Sequence, residues 1–373
     1  MKIVLFGLEK LELQFLKIAF FFTLMIALFI GAMTIFAAYS GHIDPRKMTL
    51  APLMCMTLPY WVIATLIMLP ICFIANKWQS LVPLSTLVIC LGPILNYCPL
   101  NITSNSNRNT PNSFTLLSYN AYNFIAFDDN YPDDESNSTL NYIAKTDADI
   151  VCLQECEYLS PIPRWHVYRK QVNAIKEQYP YRIIGANNGQ SIFSKFPVTL
   201  ISSAGYYSHF EVEMPTRTID IIDVHLRSIR LSKQDKEQYN EALTDLITEN
   251  NNSKLSSWKN IASKVANAAK LRSRQALALK DYIRELDSEN IIVCGDFNDV
   301  PGCFAINAIA DDFDDVYAQC GFGPMITYHG NNLKFRIDHI LYDGDFDATY
   351  FERGDLKSSD HYPLFATFKW DND

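Results

Sequence analysis

Val293-Cys294-Gly295-Asp296-Phe297-Asn298-Asp299 is the stretch on which the fold of this 373-residue chain turns. Ile291 to Cys294 is a short apolar run that reads as a strand. The chain then places a carboxylate, an amide and a second carboxylate at the strand's end. An Asp or Asn in such a place is ordinarily a turn residue or a helix cap. Here the arrangement recurs. Leu116-Leu117-Ser118-Tyr119-Asn120 ends a strand on an amide, and Val151-Cys152-Leu153-Gln154-Glu155 ends the next on a carboxylate. Asp223-Val224-His225-Leu226 ends another on an imidazole, and Arg336-Ile337-Asp338-His339-Ile340 sets an Asp inside an apolar strand. Ser358-Ser359-Asp360-His361-Tyr362-Pro363 closes the series. Strands of one sheet deliver their ends to a common rim, so six polar ends predict one site.

Outward from these ends, strands are expected over 114–119, 150–153, 182–184, 191–193, 218–224, 291–294 and 336–341. Helical patterns cover 140–146 and 264–285, the second with Val265, Ala269, Leu271, Leu277, Leu279, Ile283 and Leu286 on an apolar face. Strands mixed with helices from residue 114 to 373 predict one α/β (α+β) domain. Gln234 to Ser257 is polar and reads as a partly helical surface insertion, with a lid as the alternative. Cys152 and Cys294 lie in apolar runs and read as buried thiols rather than ligands.

The first hundred residues are of another kind. Of the chain's 32 Lys+Arg and 41 Asp+Glu, they hold six and three, leaving 26 and 38 beyond them, a net charge of −12. Ile18 to Tyr39 carries no charge and, at about 1.5 Å per residue, is long enough for a hydrocarbon core of roughly 30 Å. Two further uncharged runs follow, with Pro52, Pro59 and Pro70 in one and Pro83 and Pro93 in the other. Such prolines are tolerated where neighbouring helices satisfy the freed carbonyls. Three transmembrane helices are expected, over 18–39, 50–75 and 80–97. A signal peptide is the alternative for the first, against which stand the two later runs and the lack of a small-residue cleavage site. Residues 101–113, rich in Asn and Ser, read as a flexible tether. An odd number of spans puts residues 114–373 opposite the N-terminus. Lys2, Lys10, Lys17 and Lys77 on one side outnumber Arg46, Lys47 and Arg108 on the other by one, which favours a multi-pass membrane protein with an extracytoplasmic body.

Taken in order, the polar strand ends resemble the endonuclease/exonuclease/phosphatase superfamily over 114–370. Gly295-Asp296-Phe297-Asn298 followed by Ser359-Asp360-His361 is the specific part, with His225 and Asp338 between. Gly189-Gln190-Ser191-Ile192-Phe193-Ser194-Lys195-Phe196-Pro197 is similar to the family's central strand-turn segment. Three spans ahead of such a domain resemble membrane members known from Bacteroidetes. The resemblance implies a DNase I-like, four-layered β-sandwich flanked by helices, and hydrolysis of a phosphoester with Mg²⁺ or Mn²⁺. It places Glu155 as principal metal ligand, Asn120 beside it and Asp360 on the far rim. It makes Asp296 the base, Asn298 a donor to a phosphoryl oxygen, and His361 a phosphate contact held by Asp338. His225 falls on the other side of the scissile phosphate. Phosphodiester hydrolysis calls for such groups: hard oxygen ligands for the ion, a base for water, and donors for developing negative charge. Arg217 is a candidate clamp against the reading of a surface arginine, and His329 a candidate substrate contact. Asp311, Asp312, Asp314 and Asp315 read as a solvated acidic face, and His339 is expected to point away from the site.

Two substrate classes compete. A nuclease needs a basic groove, because phosphate contacts dominate nucleic-acid affinity. The body remains near −7 without Glu155, Asp223, Asp296, Asp338 and Asp360, which favours a phospholipid headgroup or small phosphodiester. Lys254, Lys259, Lys264, Lys270, Arg272 and Arg274 would supply a local basic strip for the alternative, a membrane-tethered nuclease acting on DNA or RNA. A non-catalytic binding module is the third reading, and the complete set of site residues argues against it. No protein partner is implied.

Overall fold

Small and polar side chains line the inside of the N-terminal helices, and large apolar ones their outside. That is the finding of the computed structural model, which describes residues 2–102, 108, 110–124, 136–157, 168–186, 189–229, 252–330 and 333–371, the backbone only for 2–13 and 252–258. The chain divides into two compact units, the first chiefly Met1–Asn96. Its helices are α1 (Lys2–Tyr39), α2 (Ala51–Met56), α3 (Leu58–Ala75), α4 (Leu81–Ile89) and α5 (Leu91–Tyr97). Ala27, Thr34, Ala37, Thr65, Cys72 and Thr86 are buried, while Phe21, Phe22, Phe29, Ile67, Phe73 and Val88 are exposed. Thr34 and Thr65 share a hydrogen bond of 2.8 Å between α1 and α3. At Gly31 a Cβ would come 2.7 Å from Thr86 Oγ1, so α1 and α4 approach at a residue without a side chain.

Among the described residues two helices are long and apolar enough to cross a membrane, by length and composition, Gln14–His42 and Leu58–Ala75. The run expected over 50–75 is α2 and α3, separated at Thr57 ahead of Pro59. The third run, 80–97, is not one helix but two, α4 and α5, broken at Cys90. Pro93 has no N–H for the Ile89 carbonyl four residues back, and its ring crowds that oxygen. The Ile89 carbonyl instead accepts from the Tyr39 hydroxyl at 2.7 Å.

The larger unit begins at Tyr97. One six-stranded sheet has the order β11 (Phe346–Arg353), β12 (Leu364–Trp370), β1 (Ser113–Asn120), β2 (Ile150–Gln154), β4 (Gln190–Ser194), β3 (Tyr181–Ala186). The other runs β5 (Val198–Ala204), β6 (Tyr207–Glu213), β7 (Thr218–His225), β8 (Ile291–Asp296), β10 (Asp338–Asp343), β9 (Asp314–Asp315). Period-two alternation sorts their side chains between cores. Phe114, Leu116, Ile150 and Cys152 of the first sheet meet Ile219, Ile221, Ile292, Cys294 and Ile340 of the second. Leu117, Tyr119, Val151 and Leu153 face outward onto Leu140, Ile143, Val172 and Ile175 of α6 (Ser138–Thr146) and α7 (Arg169–Gln178). Ile222, Val224 and Val293 meet Ala276, Leu279 and Ile283 of the helix Asn252–Arg284 (α8). Helix, sheet, sheet, helix is the expected four-layered α/β sandwich. Each buried Leu, Ile or Phe contributes about 1.5–3 kcal/mol, which is why strands covered on both faces are nearly continuous in apolar residues.

β1 and β2 run parallel, as do β7 and β8, so each pair sends two C-terminal ends to one edge. β12 and β10 run antiparallel to them and bring their first residues to that same edge. The described part of the expected tether is pinned rather than loose. Asn101 Nδ2 donates to the Ala318 and Gly321 carbonyls at 2.7 and 3.0 Å, and Arg108 donates to the Thr146 carbonyl at 2.8 Å. Leu271 of α8 is 42% exposed and leaves the apolar face expected for it. Of the expected insertion 234–257, residues up to 251 lie outside those described.

Candidate active site

Parity builds the site. Asn120, His225, Asp296 and Asp338 continue the inward-facing series of β1, β7, β8 and β10, at the edge where the inter-sheet core opens. Glu155 has the wrong parity, one place beyond inward-facing Gln154. A left-handed backbone there, φ 48°, turns it back toward the rim. Asn120 Nδ2 then donates to both Glu155 Oε1 and Asp296 Oδ2, each at 3.2 Å.

Asp296 and Asp338 are direct partners across the β8–β10 ladder. His361 lies against both, with Nδ1 2.9 Å from Asp338 Oδ2 and Nε2 3.6 Å from Asp296 Oδ2. His225 Nε2 sits 3.7 Å from Glu155 Oε1 and 3.8 Å from Asp296 Oδ2, too long for hydrogen bonds. Asp360 Oδ1 is 3.9 Å from His361 Nε2. Burial lifts the Asp296 carboxyl to about 6, helped by Asp338 and opposed by the two histidines. Burial alone would lower the His361 imidazole, but Asp338, Asp296 and Asp360 outweigh it and hold the ring up to about 10. Near neutral pH the site therefore holds an ionised Asp296 beside a protonated His361.

Asn298 takes a left-handed turn, φ 53°, and its backbone N–H donates to Asp296 Oδ1 at 2.8 Å. Its side-chain Nδ2 donates to the Leu226 carbonyl at 3.0 Å, so one of its two amide hydrogens remains for a phosphoryl oxygen.

Four carboxylates, Glu155, Asp296, Asp338 and Asp360, meet here. Among the described residues their ion-pair partners are the two histidines, an imbalance that favours a cation. Asp296, Asp338 and His361 present ligand atoms within 4.8 Å of one another. His361 Nδ1 is committed to Asp338, however, and the ring is protonated. Glu155 and Asp360 offer carboxylate oxygens, the donors that Mg²⁺ and Mn²⁺ take, and Glu155 is part-exposed, with room for water in the ion's shell. The chemistry of those two fits the ion. Asn120 Oδ1 accepts from the Tyr122 N–H at 3.3 Å while its Nδ2 faces the carboxylates, so Asn120 would join them only with its amide turned over.

Other candidates fall elsewhere. Arg217 lies at the opposite end of β7 from His225, over the Trp370 ring at 4.9 Å and paired with Asp345. His339 is buried away from the rim, its Nε2 3.1 Å from the Asp299 carbonyl. Of the acidic face, Asp311 and Asp312 pair with Lys280 and Arg284, whereas Asp315 is part-buried against Arg336 and held down to about 2, desolvation being outweighed by that guanidinium and His339. The basic strip loses its centre, because Arg272 is buried and paired with Asp299 at 3.4 Å. The His329 ring lies 4.4 Å from the Tyr362 ring at an angle of 41°, and its backbone N–H donates to the Asp360 carbonyl at 2.8 Å. Its neighbours were the ones to single out. Thr327 Oγ1 accepts from the backbone N–H groups of Ile337 and Asp338 at 2.9 and 3.0 Å, and the Tyr328 ring packs edge-on to His361 at 5.0 Å.

Residues 117–361 match the model of the endonuclease/exonuclease/phosphatase family, and residues 17–97 match a family described as a domain of unknown function. Among solved structures, an endonuclease/exonuclease/phosphatase from Beutenbergia cavernae is 15% identical, with 70% of this chain and 72% of that one covered and a TM-score of 0.46. A family protein from Bacteroides thetaiotaomicron is 17% identical over 71% of this chain and 100% of its own, with a TM-score of 0.43. TDP2 of D. rerio, complexed with single-strand DNA product, is 17% identical over 69% and 99%, with a TM-score of 0.44. No curated protein matches the chain.

Proposed function

The chain belongs to the endonuclease/exonuclease/phosphatase family and is a metal-dependent phosphoric ester hydrolase, and from that premise we propose that it is anchored in a membrane and cleaves a phospholipid headgroup or another small phosphodiester. Asp296 takes the proton of the attacking water, being ionised yet basic enough to accept it. His361 donates from Nε2 to a phosphoryl oxygen, while Asp338 holds its Nδ1–H and so its ring orientation. The second hydrogen of Asn298 Nδ2 and the His225 ring serve the other phosphoryl oxygens. Glu155 and Asp360, joined by Asn120 with its amide turned over, hold Mg²⁺ or Mn²⁺, which when bound polarises the phosphoryl group and stabilises the leaving alkoxide.

The observation that carries the membrane part is the inverted packing of the N-terminal helices, with Thr34 and Thr65 inside and Phe21, Phe29 and Phe73 outside. In water that pattern would leave a large apolar surface exposed; in lipid it is the expected one. A third crossing by α4 and α5 is supported by two contacts along α1. Gln79 donates to the Phe20 carbonyl at 3.0 Å, and Ile89 accepts from Tyr39 at 2.7 Å, so α4 runs beside α1 over most of its length. Three crossings place the catalytic unit across the membrane from the N-terminus, outside the cytoplasm on the basic-residue count.

For substrate, the net charge of −12 beyond residue 100 and the engagement of Arg272 both disfavour polyanionic duplex DNA. A bilayer anchor also raises the effective concentration of lipid substrates. The test compares kcat/KM of the detergent-solubilised chain for a phospholipid and for plasmid DNA at about 0.15 M salt. Preference for the lipid supports the reading. Preference for DNA that disappears when Lys259, Lys264, Lys270 and Arg274 are changed to Ala replaces it with the nuclease.

A further inference from the structure

Gln154 ends the inward-facing series of β2, Asp223 lies one inward place before His225 on β7 of the opposite sheet, and the two meet in the core. Gln154 Nε2 donates to Asp223 Oδ1 at 2.6 Å, and both side chains are fully buried. The other half of the pair is incomplete. Gln154 Oε1 and Asp223 Oδ2 are buried acceptors with no hydrogen-bond partner among the described residues. Each unmet acceptor of this kind costs about 1–3 kcal/mol. The pair is one hydrogen short of satisfying both.

Among the described residues the surroundings supply no cation. The titratable groups around Asp223 are the thiols of Cys152, Cys156 and Cys294, and the polar ones are Ser118, Ser208 and Gln190. Gln190 Oε1 takes the Ser208 hydroxyl at 3.2 Å, and Gln190 Nε2 is buried with no hydrogen-bond partner among the described residues, so it does not reach Asp223 Oδ2. We propose that Asp223 is held as the neutral carboxylic acid and closes a cyclic acid–amide pair with Gln154, donating from Oδ2 to Gln154 Oε1. This clasp is a positioning device. Gln154 directly precedes Glu155, and Asp223 lies two residues before His225 on the same strand face, so the clasp sets the spacing of the two ends that present them. Burial pushes the Asp223 carboxyl well above the usual carboxylate range, with the Gln154 bond alone opposing it. Gly295 makes the room: a Cβ there would fall 2.2 Å from the Val224 carbonyl and 2.9 Å from Asp223 Oδ1. The positioning role rests on the assignment of Glu155 and His225 to the site; the neutral acid does not.

The test uses the full chain in detergent, with bis(p-nitrophenyl) phosphate and saturating Mg²⁺. In Asp223→Asn, Nδ2–H supplies the hydrogen of the acid, and kcat stays within about threefold of wild type. Asp223→Ala removes the clasp and lowers kcat by about 10- to 100-fold with little change in KM, as for a displaced catalytic group. Thermal unfolding in EDTA reads the protonation itself. A carboxyl raised on folding contributes stability that is complete below its unfolded value of about 4 and is lost as pH rises toward its folded value. The Tm of Asp223→Asn relative to wild type therefore climbs as pH rises above about 4. A pH-independent difference, or an Asp223→Asn protein as impaired as Asp223→Ala, overturns the clasp. Should wild type not hydrolyse the phosphodiester, the catalytic reading fails, while the Tm comparison still decides the state of Asp223.

Discussion

Asp296 and Asp338 stand directly opposite each other across the β8–β10 ladder, and His361 reaches both. Like charges at opposed positions of a ladder repel. An imidazolium with Nδ1 on Asp338 and Nε2 toward Asp296 Oδ2 turns that repulsion into attraction, while Asp296 Oδ1 accepts from the Asn298 backbone N–H and Oδ2 from Asn120 Nδ2.

The pH dependence of stability follows from His361. Its folded pKa of about 10 lies above the ordinary histidine value, so the stability it contributes is complete below about pH 6.5 and is lost as pH rises toward 10. In EDTA, the Tm advantage of wild type over His361→Gln should shrink steadily from about pH 6.5 to about pH 10. An advantage that stayed flat over that interval would mean the ring is neutral in the folded protein.

Glu155 carries the metal assignment. Glu155→Gln keeps the shape and an oxygen donor but removes the charge, so the Mg²⁺ concentration for half-maximal activity should rise on the order of 10- to 100-fold. An unchanged metal requirement, with activity lost instead through kcat, would move the ion toward Asp296 and Asp338.

Membrane topology depends on whether α4 and α5 together cross. Reporter fusions after Arg108 and within Gly41–Lys47 should both report export, and one near Lys77 should not. A cytoplasmic signal after Arg108 alone would show that the chain crosses twice, by the helices ending at His42 and Ala75.

Much of this fold is legible because buried strands advertise themselves. Ile150–Gln154 and Ile291–Asp296 are covered on both faces and read as apolar runs ending in polar residues. Strand parity also makes Asn120, His225, Asp296 and Asp338 legible as one constellation. Glu155 reaches it through a left-handed residue, which composition does not signal. The edge strand Val198–Ala204 is largely exposed, and Arg169–Gln178 has only Val172 and Ile175 buried, so neither carries a strong apolar pattern. Arg272 misleads for a physical reason. A basic residue in a charged run reads as surface, and only the fold reveals Asp299 beneath the helix as its partner.

The central claim is that Asp296 acts with a bound divalent ion to hydrolyse a phosphodiester. Its most direct test is the rate of bis(p-nitrophenyl) phosphate hydrolysis by wild type and Asp296→Asn, each with Mg²⁺ and with EDTA. The account predicts that EDTA abolishes wild-type turnover and that Asp296→Asn, folded and with Mg²⁺, is slower by on the order of 10² to 10⁴. EDTA-resistant hydrolysis, or a wild-type rate in Asp296→Asn, would contradict it.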